Sequence, residues 1–318
     1  MGQTELHKIT TFDGVDYIMN NGKTRFLLLP TPSGWGMPSI SFNTERGYKE
    51  NRLREFGYSL DERTVIISQT TQGCSREEYF DERSALLDVT RPNRSLSSAI
   101  ETPSPVTFTF ITKELVKRAI IGRPISPIFS GSKDDEWDEW AFDEDIEIEC
   151  FDPIWFDPDT ITEIDTSGIS SVALIFPAFF DSPGGEWLFS AGALVFSIAI
   201  TYQESDTALW YTYPVIKIIG PATSWILTHD DLGLTITYPV AVASGETLTL
   251  DLANKTLTSS LGGSRWGFLS VTSDIIPFRL HPHPTVTNGI NTLSLAVGGG
   301  VIPTTQFQVE YNRRYIGF

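Results

Sequence analysis

Few residues of this chain have types and spacings that support chemistry. His281 and His283 stand in a His-Pro-His-Pro run, where alternate residues of an extended segment point the same way and would share a metal ion. No nearby Cys or third His completes a tetrahedral set, and proline favours extended backbone before it, so the run reads as a surface loop. Gly22, Lys23 and Thr24 reproduce the end of a phosphate-binding loop, but Tyr17 stands where its first Gly would fall. Without that Gly the backbone amides have no cradle, and the match reads as chance or a hairpin turn. Neither a G-x-S-x-G elbow nor an H-E-x-x-H motif occurs, and only four His are present to act as bases or ligands.

The densest cluster of titratable groups is acidic. Residues 134–152 hold eleven carboxylates (Asp134, Asp135, Glu136, Asp138, Glu139, Asp143, Glu144, Asp145, Glu147, Glu149, Asp152) and no Lys or Arg. Asp134, Glu136 and Asp138 have alternate spacing, but the Gly that a calcium loop needs for its sharp turn is absent and Trp137 interrupts. A glycosidase pair needs one carboxyl kept neutral by burial, whereas a run this dense reads as a solvated loop and strand edge, or as an electrostatic surface with a role. Trp187, Trp210, Tyr211, Trp225 and Trp266 offer faces on which a pyranose ring would stack, although core packing and subunit contact account for the same residues. Among them Trp187, Trp225 and Trp266 are the candidate glycan-stacking residues. No catalytic residue, cofactor or metal site is assigned, and the chain is not expected to be an enzyme.

The elements that would position these groups are mostly strands. Val106, Phe108 and Phe110 alternate with Thr107 and Thr109; Ile146, Ile148 and Cys150 alternate with Glu147 and Glu149; Leu248, Leu250 and Leu252 alternate with Thr249 and Asp251. Each pattern gives one buried and one polar face. Similar runs at 63–68, 215–219, 234–238, 293–297 and 307–311 are separated by Gly, Pro, Asn and Asp. One helix is expected at about residues 76–89. Ser75 caps it, Glu78 is the capping-box partner, Pro92 stops it, and Tyr79, Phe80, Leu86 and Leu87 fall on one face for packing across a sheet.

The chain has 318 residues, of which 41% are hydrophobic, 12% aromatic and 20% charged, as in ordinary soluble globular proteins. Its net charge of -17 disfavours a protein that works by neutralising nucleic-acid phosphates. Residues 1–133 carry 17 basic and 15 acidic residues while 159–318 carry 6 and 13, so most of the acid excess belongs to the one block between them. Cys74 and Cys150 make no disulfide framework and read as free buried thiols, suited to a reducing cytoplasm. The N-terminus lacks the basic-then-apolar order of a signal peptide. The longest apolar stretch, 188–200, has thirteen residues against the roughly 20 of a membrane span, so no membrane insertion is expected. The basic residues nearly vanish after 151–160, which sets the expected domains at 1–158 and 159–318, with residues 172–213 as a connector or arm rather than regular strands.

Three stretches in order carry a resemblance. The first is Phe151-Asp152-Pro153-Ile154-Trp155-Phe156-Asp157-Pro158 at the end of a strand beginning at Ile146. The second is Tyr213-Pro214-Val215-Ile216-Lys217-Ile218-Ile219-Gly220-Pro221, followed by Gly233-Leu234-Thr235-Ile236 and Gly245-Glu246-Thr247-Leu248-Thr249-Leu250-Asp251. The third is the ending Tyr311-Asn312-Arg313-Arg314-Tyr315-Ile316-Gly317-Phe318. With the helix and Arg91-Pro92-Asn93 before a strand-rich stretch, this order resembles the distal tail proteins of long-tailed (siphovirus-type) bacteriophages.

The resemblance implies a mostly β fold: an N-terminal β-barrel-like, ring-forming domain with one helix, then a C-terminal galectin-like β-sandwich. It also implies a structural adaptor at the virion tail tip, made and assembled in the host bacterial cytoplasm. Six copies would close into a ring joining the tail tube protein to the tail-tip hub or tail-associated lysin protein, with a receptor-binding protein as a further partner. DNA would pass the lumen without stable binding. Carboxylates lining a channel repel phosphates over about one Debye length. Asp143, Glu144, Asp145, Glu147 and Glu149 are therefore the candidates for the lumen or the ring interface. The alternative is a carbohydrate-binding module of a tail or host-adhesion protein that recognises a cell-surface glycan.

Overall fold

The computed structural model describes residues 7–11, 13–19, 24–27, 34–45, 54–72, 75–91, 105–111, 116–130, 141–166, 169–170, 194–202, 209–299 and 304–317. The chain forms two compact units, one of Met1–Pro158 with Arg314–Phe318 and the other of Asp159–Arg313. The last five residues thus group with the first unit, whereas the sequence places them in the expected domain 159–318.

In the first unit the strands are β1 (His7–Thr11), β2 (Asp16–Met19), β3 (Thr24–Leu27), β4 (Ile40–Glu45), β5 (Arg54–Leu60) and β6 (Arg63–Gln72). Helix α1 (Arg76–Thr90) follows, then β7 (Val106–Ile111), β8 (Lys117–Ser130), β9 (Ala141–Cys150) and β10 (Trp155–Phe156). All pairings are antiparallel. β2, β1, β7 and β8 lie in that order, and the long β8 then serves a second ladder of β8, β9, β6 and β3. Among the described residues the path is open, with β2 and β3 at its ends. β8 pairs with β7 through Lys117–Gly122 and with β9 from Arg123 on, with a register shift between Pro124 and Ser126. Gly122 stands at the change of partner, where a Cβ would lie 2.6 Å from the Glu149 carbonyl oxygen and 2.5 Å from Ile148 Cγ2. Only glycine lets β8 approach β9 that closely.

The alternation read from the sequence sets the core of this unit: Ile9, Val65, Ile67, Phe108, Ile120, Ile146, Ile148 and Trp155 are buried. Trp35 packs its ring 5.6 Å from Trp155 and 5.0 Å from Phe110. α1 begins as its sequence dictates, with Ser75 Oγ accepting from the Glu78 amide at 3.2 Å. It ends where Arg91, ahead of Pro92, turns to extended backbone. It packs against β1, β2, β6 and β8, burying Tyr79, Leu86 and Val89. Phe80 and Leu87, expected on the same face, are exposed instead. Each follows a buried residue by one position, about 100° round the helix, and so turns off the sheet-facing stripe.

β4 and β5 form a two-stranded sheet of their own. Ile40 pairs with Leu60 and Phe42 with Tyr58 on one face, while Ser41 pairs with Ser59 and Asn43 with Gly57 on the other. Ser41 Oγ donates to Asp61 at 2.7 Å at the base of this ribbon.

The second unit is a β-sandwich. Its strands are β11 (Ile161–Asp165), β12 (Ile169–Ser170), β13 (Leu194–Thr201), β14 (Leu209–Trp210), β15 (Val215–Ile219), β16 (Ser224–His229), β17 (Leu234–Tyr238), β18 (Thr247–Asp251), β19 (Thr256–Ser259), β20 (Ile290–Gly298) and β21 (Gln306–Tyr311). One sheet runs β11-β21-β15-β18-β19 and the other β12-β13-β20-β16-β17. Their inner faces share one core that includes Phe196, Ile216, Trp225, Leu250, Leu295, Phe307 and Val309. β13 corrects the expectation of an irregular connector over 172–213: Leu194, Phe196, Ile198 and Ile200 are buried along a regular strand paired with β20 from end to end. Residues 172–193 and 203–208 of that connector lie outside the described residues. Between β19 and β20 the chain runs without long elements and closes the edge of β17. Ser270 and Asp274 amides donate to the Thr237 and Thr235 carbonyls, and the Thr235 and Thr237 amides donate to Asp274 and Ser273 side chains. The open hydrogen-bonding edge of β17 is thereby satisfied.

The chain finishes with β22 (Arg314–Tyr315), which returns to the first unit and pairs with β10, Tyr315 opposite Trp155.

Candidate functional site

The acidic row is held by β9. Pairing on both sides fixes its register: Glu149 lies between Thr64 of β6 and Arg123 of β8, Glu147 between Ile66 and Ser126, and Asp145 between Ser68 and Ile128. Ile146, Ile148 and Cys150 fill the core face, so Asp145, Glu147 and Glu149 are half-buried on the outer face of the same strand. Two-residue periodicity makes this outcome unavoidable once the apolar set is buried. Asp145 accepts a short hydrogen bond from Ser68 Oγ. Asp143 and Glu144 continue β9 opposite Thr70 and Gln69; their side chains, and residues 131–140, lie outside the described residues.

Beside the acids the outer face is apolar. Ile121 and Ile125 of β8 flank Arg123 and are exposed, as is Phe151 just after β9. The Arg123 guanidinium lies over the Phe151 ring, 4.7 Å from its centroid. Sequence reading found the acids and missed their apolar neighbours. The signal was present in Ile120-Ile121, an apolar pair across one strand position, which puts one side chain out whenever the other is in.

The other sequence candidates separate. Trp225 is fully buried, stacked on Tyr238 with centroids 5.3 Å apart, so it is a core residue and offers no face to a sugar. The alternation Trp225-Leu227 on β16 explains why: both point into the sandwich. Trp266 opens a short 3-10 turn and is half-buried against the core. Trp187 lies outside the described residues. His281 is half-buried with its Nε2 taking a hydrogen bond from Arg279 Nε at 3.1 Å, while His283 is exposed. The two histidines therefore meet different environments. Among the described residues no group of three or more His, Cys, Asp or Glu is placed to hold a metal ion.

Cys150 is buried, and loss of solvation pushes its thiol up to about 12 against the opposing pull of the nearby Arg63 charge. Cys74, Gly22 and Lys23 lie outside the described residues. Among those described, no helix is long and apolar enough to cross a membrane.

An antiparallel β unit with one capped helix, followed by a two-sheet sandwich whose chain end returns to the first unit, is a fold that a solved phage protein shares. It matches the crystal structure of SPP1 Dit (gp 19.1), described as a paradigm of the hub adsorption apparatus in phages infecting Gram-positive bacteria. The TM-score is 0.59 at 14% identity, covering 97% of this chain and 99% of that one. Chains of the phage P2 baseplate in its activated conformation also align, with Ca at TM-score 0.46 and 13% identity over 97% of this chain and 98% of that one, and with Sr at 0.44 and 14% over 96% and 98%. No protein-family model and no curated protein matches the sequence.

Proposed function

We propose that this chain is a structural protein of the virion tail tip: a ring-forming adaptor, hexameric, that joins the tail tube protein to the hub and host-recognition apparatus, without catalytic activity. The observation that carries the reading is that both units align, in order and over nearly the whole of both chains, with a hub protein of a phage adsorption apparatus. The charge distribution supports it. A channel that passes DNA works best when its protein does not hold phosphate, and a chain of net charge -17 with eleven carboxylates and no base in residues 134–152, five of them on β9, meets that need.

Light scattering on the purified protein tests the reading. A species near six times 35.4 kDa is expected; a single-copy mass at high micromolar concentration overturns it.

A further inference from the structure

We propose that Arg279, with Tyr211 and Tyr213 beside it, is the centre of a binding site in the second unit for a small polar ligand that carries a phosphate or carboxylate group. The site goes beyond the ring reading and does not depend on it.

Pairing sets the face. An antiparallel bridge joins Thr212 to Leu280, with an amide-to-carbonyl bond made in each direction at 3.1 and 2.8 Å. Thr212 and Leu280 are buried, so two-residue alternation turns Tyr211, Tyr213, Arg279 and His281 together onto the opposite face, where all four are half-buried. There the Arg279 guanidinium lies over the Tyr211 ring, 3.9 Å from its centroid, and Tyr213 meets Tyr211 edge-on at 5.6 Å.

The guanidinium is held from behind. Arg279 Nε donates to His281 Nε2 at 3.1 Å. Burial, with the Arg279 and His229 charges nearby, lowers the His281 pKa to about 4, so at neutral pH this nitrogen keeps the lone pair it needs to accept. The His281 backbone is clamped in turn. Buried Asn291 accepts from its amide at 2.8 Å and donates to its carbonyl at 2.9 Å, and the ring of buried His229 meets the same Asn291 oxygen at 3.1 Å. A chain of contacts thus runs from the sandwich core to one guanidinium, which lowers the ordering cost of binding through it.

What this guanidinium lacks is an anion. In the same unit Lys217 pairs with Glu310 at 2.6 Å and Arg265 with Glu246 at 3.4 Å. Arg279 meets no carboxylate among the described residues, in a chain with 40 acids against 23 bases, and neither tyrosine hydroxyl has a partner there. With Nε occupied and one face stacked, the two terminal nitrogens remain as the pair of donors that fits a carboxylate or phosphate bidentately. Residues 209–213 and 278–283 include no exposed large hydrophobic side chain, so the face suits a compact polar ligand better than a protein surface.

The test titrates full-length protein at constant ionic strength with inorganic phosphate, read from line broadening in phosphorus NMR, and with acetate, read from saturation transfer to its methyl protons. Saturable binding of at least one is expected, and the tighter of the two names the ligand's group. Arg279→Gln removes the charge, and Arg279→Lys keeps the charge without the paired donors; each should weaken binding about tenfold or more. His281→Phe leaves Arg279 in place without its acceptor and should weaken binding by about threefold. Circular dichroism verifies folding, and Arg279→Lys alone decides if Arg279→Gln fails that check. Absence of saturable binding by both ions overturns the inference, as does binding that the folded Arg279 variants retain in full or that an equal concentration of chloride abolishes. None of these outcomes concerns the mass of the assembly, so the ring reading stands or falls separately.

Discussion

Arg63, at the start of β6, donates through Nη2 to the carbonyl of Ile316 at 3.0 Å, joining positions 253 residues apart. Its Nη1 donates to the Gly34 carbonyl at 3.1 Å, and its guanidinium lies 6.0 Å from the Trp155 ring centroid. The side chain is buried, so these carbonyls and the indole face substitute for water around a charge. Arg118 adds a second tie, with its guanidinium 3.5 Å from the Tyr315 centroid. Together they fasten β22 into the first unit.

Replacing Arg63 by Ala removes the charge but leaves two carbonyls without their donor. The expected loss is about 2–4 kcal/mol in the first unit's stability. Urea unfolding followed by circular dichroism measures it, and truncation before Arg314 should destabilise the same unit. A loss below about 0.5 kcal/mol, the range of an ordinary surface substitution, would show that the chain end is not fastened through this residue.

His7 gives the first unit a pH dependence. It is fully buried and stacked on Phe110, centroids 4.4 Å apart at 11°, and loss of solvation pushes its pKa down to about 4 from 6.5. Between these values the unfolded chain binds the proton and the folded one does not, so stability rises with pH through that window. It is fully present above about pH 6.5 and falls on acidification, by roughly 3 kcal/mol once the folded pKa is passed. His281, also lowered to about 4, acts in the same direction in the second unit. Melting temperatures between pH 7 and 4 should show a shallower acid slope for His7→Phe than for the unaltered chain; equal slopes would remove His7 from the account.

Much of this fold was legible where one side of a strand is apolar and the other polar. Ile146-Glu147-Ile148-Glu149-Cys150 admits a single orientation, and the strands at 215–219 and 234–238 have the expected bounds. Legibility failed where both faces are apolar or small. Leu194–Thr201 carries Val195 between Leu194 and Phe196 and Ala199 between Ile198 and Ile200, which blurs the period-two signal of a strand with one sheet face outward. The acids of the candidate site were visible because charge is a property of single residues. Ile121, Ile125, Phe42 and Tyr58 were not, because an exposed apolar residue differs from a buried one only through the strand that carries it.

Glu246 ties three segments of the sandwich. Its carboxylate accepts from the Ala243 amide at 2.8 Å, from Ser259 Oγ at 2.6 Å and from Arg265 at 3.4 Å, and the side chain is buried. The Ser259 bond, first, and the amide hold its pKa below the ordinary carboxylate value. A lowered carboxylate pKa stabilises above the unfolded value of 4.5 and that contribution is lost as pH falls through the folded one. Glu246→Ala leaves a buried amide and hydroxyl without acceptor and should cost about 2–4 kcal/mol in the second unit by chemical denaturation. Glu246→Gln keeps an acceptor oxygen and should cost less; equal losses would place the effect in packing rather than in the hydrogen bonds.

Glu147 and Glu149 separate folding from assembly. They stand two positions apart on one face of β9 with Asp145 next in line, like charges a few ångströms apart that gain nothing from each other in the single chain. Glu147→Gln with Glu149→Gln should change the stability of the single chain by no more than a few tenths of a kcal/mol, relief of the like-charge repulsion offsetting the loss of the Glu149 charge opposite Arg123. If, in the proposed ring, these acids meet basic groups of a neighbouring copy, the same change weakens assembly, and added salt weakens assembly of the unaltered chain for the same reason, since screening shortens the range of attraction to about 3 Å at 1 M. If they instead face one another across a lumen, both changes act the other way: neutralisation and salt each relieve repulsion and strengthen the ring. Sedimentation across a salt series, run on both proteins, reads the sign directly, and a ring that tightens with salt would move the acids from the contact to the channel.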